Sequence, residues 1–288
     1  MRILVLRALG LGDLLTAVPA LRGLRATYPW AEITLAAPAW LADAVARIDA
    51  VDRLLPTEEL GPIDFDRPDL AVNLHGVGPQ SILRLMATRP RRLITYEFDE
   101  GERHEVLRWC DLLQRKGIRC DPDDHRLAPV GPHAGPIVLH PGASTGARRW
   151  PVERFAELAE ALGPDVVVTA GPGEAGLARQ VGRGVLSGTL AELMDLVATA
   201  RLVVCGDTGI AHVATAYRTP SVVLFGPVPP RLWGPRRGPH VALWHGTTGD
   251  TFAQRPDPGL LRITVDEVLD AAGGVLCGSE SSERVTSA

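Results

Sequence analysis

The residues best suited to chemistry fall into three short stretches. In the first, Gly206-Asp-Thr-Gly209 follows the apolar run Leu202 to Cys205 and precedes Ile210 to Tyr217, a segment of helical composition. A buried strand, a glycine turn and a helix start make a natural anion site. Free backbone N–H groups and the positive end of the helix dipole aim at one point there. Asp207, Thr208 and Gly209 form that turn, and His212 lies about one helical turn further on, able to face the same point. Capping of the helix explains Asp207 and Thr208 equally well, so both readings stand on local sequence.

The second stretch is His140-Pro-Gly-Ala-Ser-Thr-Gly-Ala-Arg-Arg-Trp-Pro151. Ser144 and Thr145 bring hydroxyls, the glycines bring a flexible loop, and Arg148 and Arg149 bring positive charge. That set suits a diphosphate, although basic pairs in loops are commonly just solvated. Lys116 is the only lysine in the chain, so arginine is expected to fill lysine roles. The third stretch is Gly10-Leu-Gly-Asp13. It lacks the spacing and the lysine of a P-loop. Its glycines, Gly12 among them, let a ligand approach the backbone. Asp13, at the mouth of the first strand, reads either as a helix cap or as a general base.

Other motifs carry less. Gly171-Pro-Gly-Glu-Ala-Gly176 matches the dinucleotide fingerprint literally. It follows the second strand of its series, however, and the next strand has no acidic tip for a ribose. Glu174 is instead a candidate contact for a nucleotide ribose or a sugar. Asp64-Phe-Asp66 and Asp121-Pro-Asp123 have the spacing by which some sugar transferases hold a divalent cation, but neither directly ends a strong buried strand, so no metal site is expected. His104, His125, His133, His240 and His245 read as surface or loop residues. Four scattered cysteines without C-x-x-C spacing argue against a zinc site or a disulfide framework.

The elements that must position these residues alternate. Strands are expected at 2–7, 32–36, 51–55, 70–74 and 92–96, with helices at 14–27, 41–47, 81–87 and 102–116 around them. A loop rich in Asp, Pro, Gly and His, 121–136, has linker composition. Strands at 136–140, 165–170, 184–186, 202–205, 221–225 and 241–244 then alternate with helices at 152–162, 174–181, 190–199 and 210–217. A last helix, 264–272, is opened by a capping threonine. This is the pattern of parallel sheets with helices on both faces. It predicts a first domain over 1–130, a second over 136–272, and a disordered small-polar tail over 273–288. Ligands of such sheets bind beyond the carboxyl ends of the strands, where Asp13, His75, His140 and Asp207 fall.

A net charge of −4 gives no sign of a nucleic-acid surface. The N-terminus lacks the pattern of a signal peptide, and no apolar run reaches the roughly 20 residues needed to span a bilayer. A cytoplasmic protein is expected, with room for peripheral contact with a membrane.

Taken in order, four segments resemble glycosyltransferase family 9, the heptosyltransferase-like proteins. They are Leu9-Gly-Leu-Gly-Asp13 with Val18-Pro-Ala-Leu21, Asp69-Leu-Ala-Val-Asn-Leu-His-Gly76, His140-Pro-Gly-Ala-Ser144 with Arg148-Arg-Trp-Pro151, and Gly206-Asp-Thr-Gly-Ile-Ala-His212. The resemblance implies an α/β protein of GT-B fold, two Rossmann-like domains whose parallel sheets face across a cleft. It implies inverting, metal-independent transfer of a heptose or related sugar from a nucleotide-diphosphate donor, typically ADP-heptose. The acceptor would be a saccharide, glycolipid or small molecule, and no cofactor is needed beyond the donor itself. Asp13 matches the catalytic base. Asp207, Thr208, Gly209 and His212 match the donor loop, and Arg148 stands where the family carries a phosphate-binding lysine. Ser144 and Thr145 would flank the diphosphate, with Glu174 on the donor side and Gly12 and His75 on the acceptor side. Two alternatives share the fold: a non-catalytic nucleotide-sugar-binding partner subunit, and a nucleotide-sugar epimerase or hydrolase.

Overall fold

A computed structural model of the chain describes residues 1–96 and 101–283, with side chains through 278. The chain divides into two compact units, Met1–Leu127 and Ala128–Ala288. The segment before Leu127 has linker composition, yet it packs on the first unit. Ile118, Cys120, His125 and Leu127 are buried, and Arg22 grips Asp124 through a 2.6 Å ion pair. His125, read from sequence as a surface or loop residue, is therefore a packed one.

The first unit holds β1 (Arg2–Leu6), β2 (Glu32–Ala37), β3 (Arg53–Pro56), β4 (Leu70–Asn73) and β5 (Leu93–Ile94). They form one parallel sheet in the order β3-β2-β1-β4-β5. Ile3, Leu4, Val5 and Leu6 are all fully buried, as a strand covered by helices on both faces requires. Leu6 of β1 pairs with Asn73 of β4. The chain runs outward from β1 to β3, then returns to lay β4 on the other side of β1. The topological switch point of this sheet lies between β1 and β4.

The second unit holds β6 (Ile137–His140), β7 (Val166–Thr169), β8 (Gly184–Leu186), β9 (Leu202–Gly206), β10 (Ser221–Phe225) and β11 (His240–Trp244). These too are parallel, in the order β11-β10-β9-β6-β7-β8. The same logic puts the switch point between β6 and β9, where His140 pairs with Cys205. The loops that leave these two strands therefore emerge side by side. The core beneath them includes Trp150 and Phe155, packed edge to face at 5.1 Å, and Val204, Leu224 and Val268.

Two elements depart from the sequence reading. The expected helix 14–27, in which Pro19 reads as a kink or a late helix start, is two helices, Leu11–Thr16 and Val18–Thr27, with the second start beside Pro19 as that reading has it. Pro19 sits in the first turn of the second, where its missing N–H costs nothing. The last helix is Val265–Glu283, so most of the expected disordered tail is helical. Thr264 and Glu267 form a reciprocal capping box at its start. Val268, Ala272 and Val275 carry one buried stripe onward past Gly273 and Gly274, with Leu276 packed alongside. The rest of that tail, residues 284–288, lies outside the described residues.

Candidate active site

In the first unit, Arg7 directly follows β1 and is fully buried. Its guanidinium organises the strand-end loops. Nε donates to the Asp13 carbonyl at 2.9 Å, and Nη1 donates to the Leu74 carbonyl just beyond β4. Nη2 reaches Asp13 Oδ1 at 3.1 Å, Glu105 Oε1 at 2.9 Å and Thr16 Oγ1 at 3.3 Å. The guanidinium lies 4.9 Å from the Trp109 ring centre. A buried cation is tolerated only when paired and hydrogen-bonded in this way. Sequence reading placed Arg7 in the strand and missed it, along with Glu105 and Trp109.

Asp13 is not the N-cap of its helix. Gly10 holds that place, and Asp13 is the third helical residue, reaching back so that Oδ2 accepts from the Gly10 N–H at 3.2 Å. Its side chain stays 29% exposed, so solvent or a ligand can reach the carboxylate. Gly12 lies in the same turn of helix. His75 leaves the neighbouring strand-end, its N–H held by Asn73 Oδ1 at 3.1 Å. Burial, then the nearby Arg7 charge, hold its ring pKa below the ordinary value, with Glu59 opposing. The neutral form of His75 is thereby favoured. Asn73, buried, fixes this loop, its Nδ2 lying 2.9–3.1 Å from Gly76 O, Ser81 Oγ and Thr95 Oγ1.

In the second unit, the switch point brings the loop after β6 against the turn after β9. Arg148 Nη1 stands 3.5 Å from Asp207 Oδ2. Arg148 Nε is buried and has no hydrogen-bond partner among the described residues. Arg149 turns inward, both Nε and Nη2 donating to the Ala143 carbonyl; it closes the loop and leaves Arg148 as the outward guanidinium. Only glycine fits at 206, because a Cβ there would lie 2.8 Å from the Arg148 carbonyl. Thr208 is the N-cap of helix Gly209–Tyr217, but no described side chain makes the cap hydrogen bond. The first N–H groups of that helix, from Gly209 on, thus have no side-chain cap from Thr208.

Ser144 is exposed. Thr145 donates its hydroxyl proton to the Thr251 carbonyl at 2.7 Å. His140, nearly buried, lies 3.0 Å from Thr169 Oγ1 through Nδ1 and 3.7 Å from Glu174 through Nε2. Burial holds its pKa down, against the pull of Glu174. Glu174 folds back so that Oε2 accepts from the Gly171 N–H at 2.9 Å. A Cβ on Gly142 would collide with that carboxylate. The glycine fingerprint here thus serves to seat a carboxylate. His212 packs edge-on to Trp233 at 6.0 Å, a residue of the short helix Pro230–Trp233, which sequence reading did not resolve.

One carboxylate of each D-x-D pair is engaged locally. Asp66 Oδ1 takes the Arg89 guanidinium at 2.6 Å, and Asp121 Oδ1 accepts from the Asp123 N–H at 3.0 Å. Among the described residues no group of three or more His, Cys, Asp or Glu is placed to hold a metal ion, and no helix is long and apolar enough to cross a membrane. Cys110, Cys120 and Cys205 are buried as free thiols and Cys277 is an exposed one.

Two parallel, helix-covered sheets, each with polar residues gathered at a strand switch point, match the GT-B fold of solved heptosyltransferase structures. The chain belongs to glycosyltransferase family 9 (heptosyltransferase), whose model matches residues 99–255. It is 27% identical to lipopolysaccharide heptosyltransferase 2 of Salmonella typhimurium, over 96% of this chain and 99% of that one. Among solved structures it resembles the glycosyl transferase family 9 protein of Veillonella parvula, with a TM-score of 0.79 at 20% identity over 96% and 97% of the two chains. It also resembles E. coli ADP-heptose LPS heptosyltransferase II, with a TM-score of 0.78 at 23% identity over 97% and 100%. The chain is therefore an enzyme of glycosyl transfer.

Proposed function

We propose that this enzyme transfers a heptose or closely related sugar, with inversion and without a metal, from an ADP-activated donor to an acceptor hydroxyl. The observation that carries the reading is Arg148. Its guanidinium stands beside Asp207 at a helix start that no described side chain caps, with Nε buried and without a described partner. A diphosphate is the ligand that would satisfy both the guanidinium and the helix N–H groups.

A hydroxyl is a weak nucleophile until a base takes its proton. In this reading Asp13 is that base. As the acceptor oxygen bonds to the anomeric carbon, the bond to the nucleoside diphosphate breaks on the opposite face, and the proton passes to Asp13. Charge grows on the leaving diphosphate, and Arg148, Gly209 and the helix start meet it. Ser144 and Thr145 flank the phosphates, and His212 closes the same end. Glu174, beside His140, takes hydroxyls of the ribose or sugar. Gly12 and His75 face the acceptor. The local engagement of Asp66 and Asp121, one carboxylate of each D-x-D pair, supports the metal-free reading. The donor is the only nucleotide involved, and no further cofactor enters the step.

The names of the relatives, which act on lipopolysaccharide or carry ADP-heptose in their titles, favour a saccharide or glycolipid acceptor. The reaction is placed in the cytoplasm, with peripheral membrane contact when the acceptor is a glycolipid. Titration calorimetry with ADP tests the donor half. Arg148→Ala should weaken ADP binding by about 1.5–3 kcal/mol, the value of a charge-assisted hydrogen bond, or about ten- to a hundredfold. Unchanged ADP affinity would remove Arg148 as a diphosphate ligand.

A further inference from the structure

The geometry points to Arg7 and Glu105 as a paired positioning device that aims Asp13 and sets its basicity, an inference that rests on Asp13 being the base. A carboxylate facing a buried guanidinium alone is held ionised too firmly to accept a proton readily. Here the same nitrogen, Arg7 Nη2, serves two carboxylates: Asp13 at 3.1 Å and Glu105 at 2.9 Å. One positive charge divided between two acids leaves Asp13 with proton affinity to spare.

The arrangement is built to hold. Trp109 supports the guanidinium plane and also donates its Nε1–H to Glu105 Oε1 at 2.9 Å. Arg7 Nε fixes the Asp13 backbone while Nη2 fixes its carboxylate. The second Asp13 oxygen is held by the Gly10 N–H. The carboxylate therefore has a set direction as well as a set charge. Among the described residues, charged and titratable groups around this centre include Arg7 just past β1, His75 from the loop after β4 with Glu59 near it, and Glu105 and Arg108 from helix Glu105–Gln114. Arg108 Nε lies 3.5 Å from Glu105 Oε2, and Glu105 stands closer to Arg7 Nη2 than Asp13 does.

The two partners should shift Asp13 in opposite directions. In Glu105→Gln the whole Arg7 charge falls on Asp13. Its carboxyl titration, and the acid limb of the rate profile, should move down by about one pH unit, with a lower plateau rate. In Arg7→Met, Asp13 faces Glu105 without the cation, and both should move up by about one unit or more. Arg7→Lys keeps the charge and should return the limb most of the way. If Arg7→Met does not fold, Glu105→Gln decides alone. ADP affinity should hold in every variant.

The experiment reads the Asp13 carboxyl by carbon-13 NMR in the substrate-free protein, and in parallel the pH profile of transfer from ADP-heptose to lipopolysaccharide. A downward shift of both in Glu105→Gln supports the inference. An Asp13 titration that stays in place in Glu105→Gln overturns it, whatever the rates do. A titration that moves while the rate profile does not follow removes Asp13 as the base, and the transfer mechanism fails instead.

Discussion

The carboxylate of Asp13 accepts from the Gly10 N–H through one oxygen and from Arg7 through the other, so its structural and chemical roles separate by substitution. Asparagine keeps an oxygen for one of these bonds but loses the charge that faces Arg7. Asp13→Asn should cost at most about 1.5–3 kcal/mol of stability, because Glu105, Thr16 and two carbonyls still hold the guanidinium. Transfer should fall roughly 100-fold or more, since the amide cannot accept the hydroxyl proton. A folded variant that keeps most of its rate would leave Asp13 a purely structural residue. The histidines of the site set a pH dependence. Burial depresses both His75 and His140, so the unfolded chain takes up protons near pH 6.5 while the folded chain resists until lower pH. Their contribution is fully present above about pH 6.5 and is lost as pH falls through their folded values. The melting temperature should drop between pH 7.5 and 5.5, and His75→Asn should flatten the drop; a level melting temperature would contradict this. Asp13, His75 and Asp207 could be singled out because each is a polar residue in the turn after a buried strand, and Arg148 because it lies in a loop of glycines, hydroxyls and paired arginines that follows one. Arg7, Glu105 and Trp109 were not, since their meeting joins positions about 100 residues apart in sequence that no local pattern connects.

At the scale of elements, the reading succeeds where periodicity is strong and fails where glycine interrupts it. Helix Val152–Leu162 and strand Ser221–Phe225 fall where their apolar spacing puts them. The last helix does not stop at Gly273-Gly274, because Val275 and Leu276 pack into the core beyond them, and tertiary burial overrides the low helix propensity of glycine. Removing residues 273–288 should therefore lower stability by about 2–4 kcal/mol, the burial value of those two side chains, read as a shift in a urea denaturation midpoint. An unchanged midpoint would show that the segment contributes nothing to the fold. Sequence also missed the four-residue helix Pro230–Trp233, too short to show a period among its prolines.

At the scale of the whole molecule, the alternation of strand and helix was readable, and with it two parallel sheets. The order of strands within each sheet was not, because every buried strand offers a similar apolar edge. That order decides function, since it sets β1 beside β4 and β6 beside β9 and so selects which loops meet. One sheet thereby assembles Asp13 with its guanidinium, and the other assembles Arg148 with Asp207 at a helix start. The central claim is that these two centres serve one inverting transfer from an ADP-sugar. It is tested most directly by incubating the full chain with ADP-heptose and lipopolysaccharide in the presence of EDTA and resolving the product linkage by NMR. The account predicts ADP release matched by one new heptosyl linkage of anomeric configuration opposite to the donor's. A linkage of retained configuration, or activity that EDTA abolishes and manganese or magnesium restores, would contradict it.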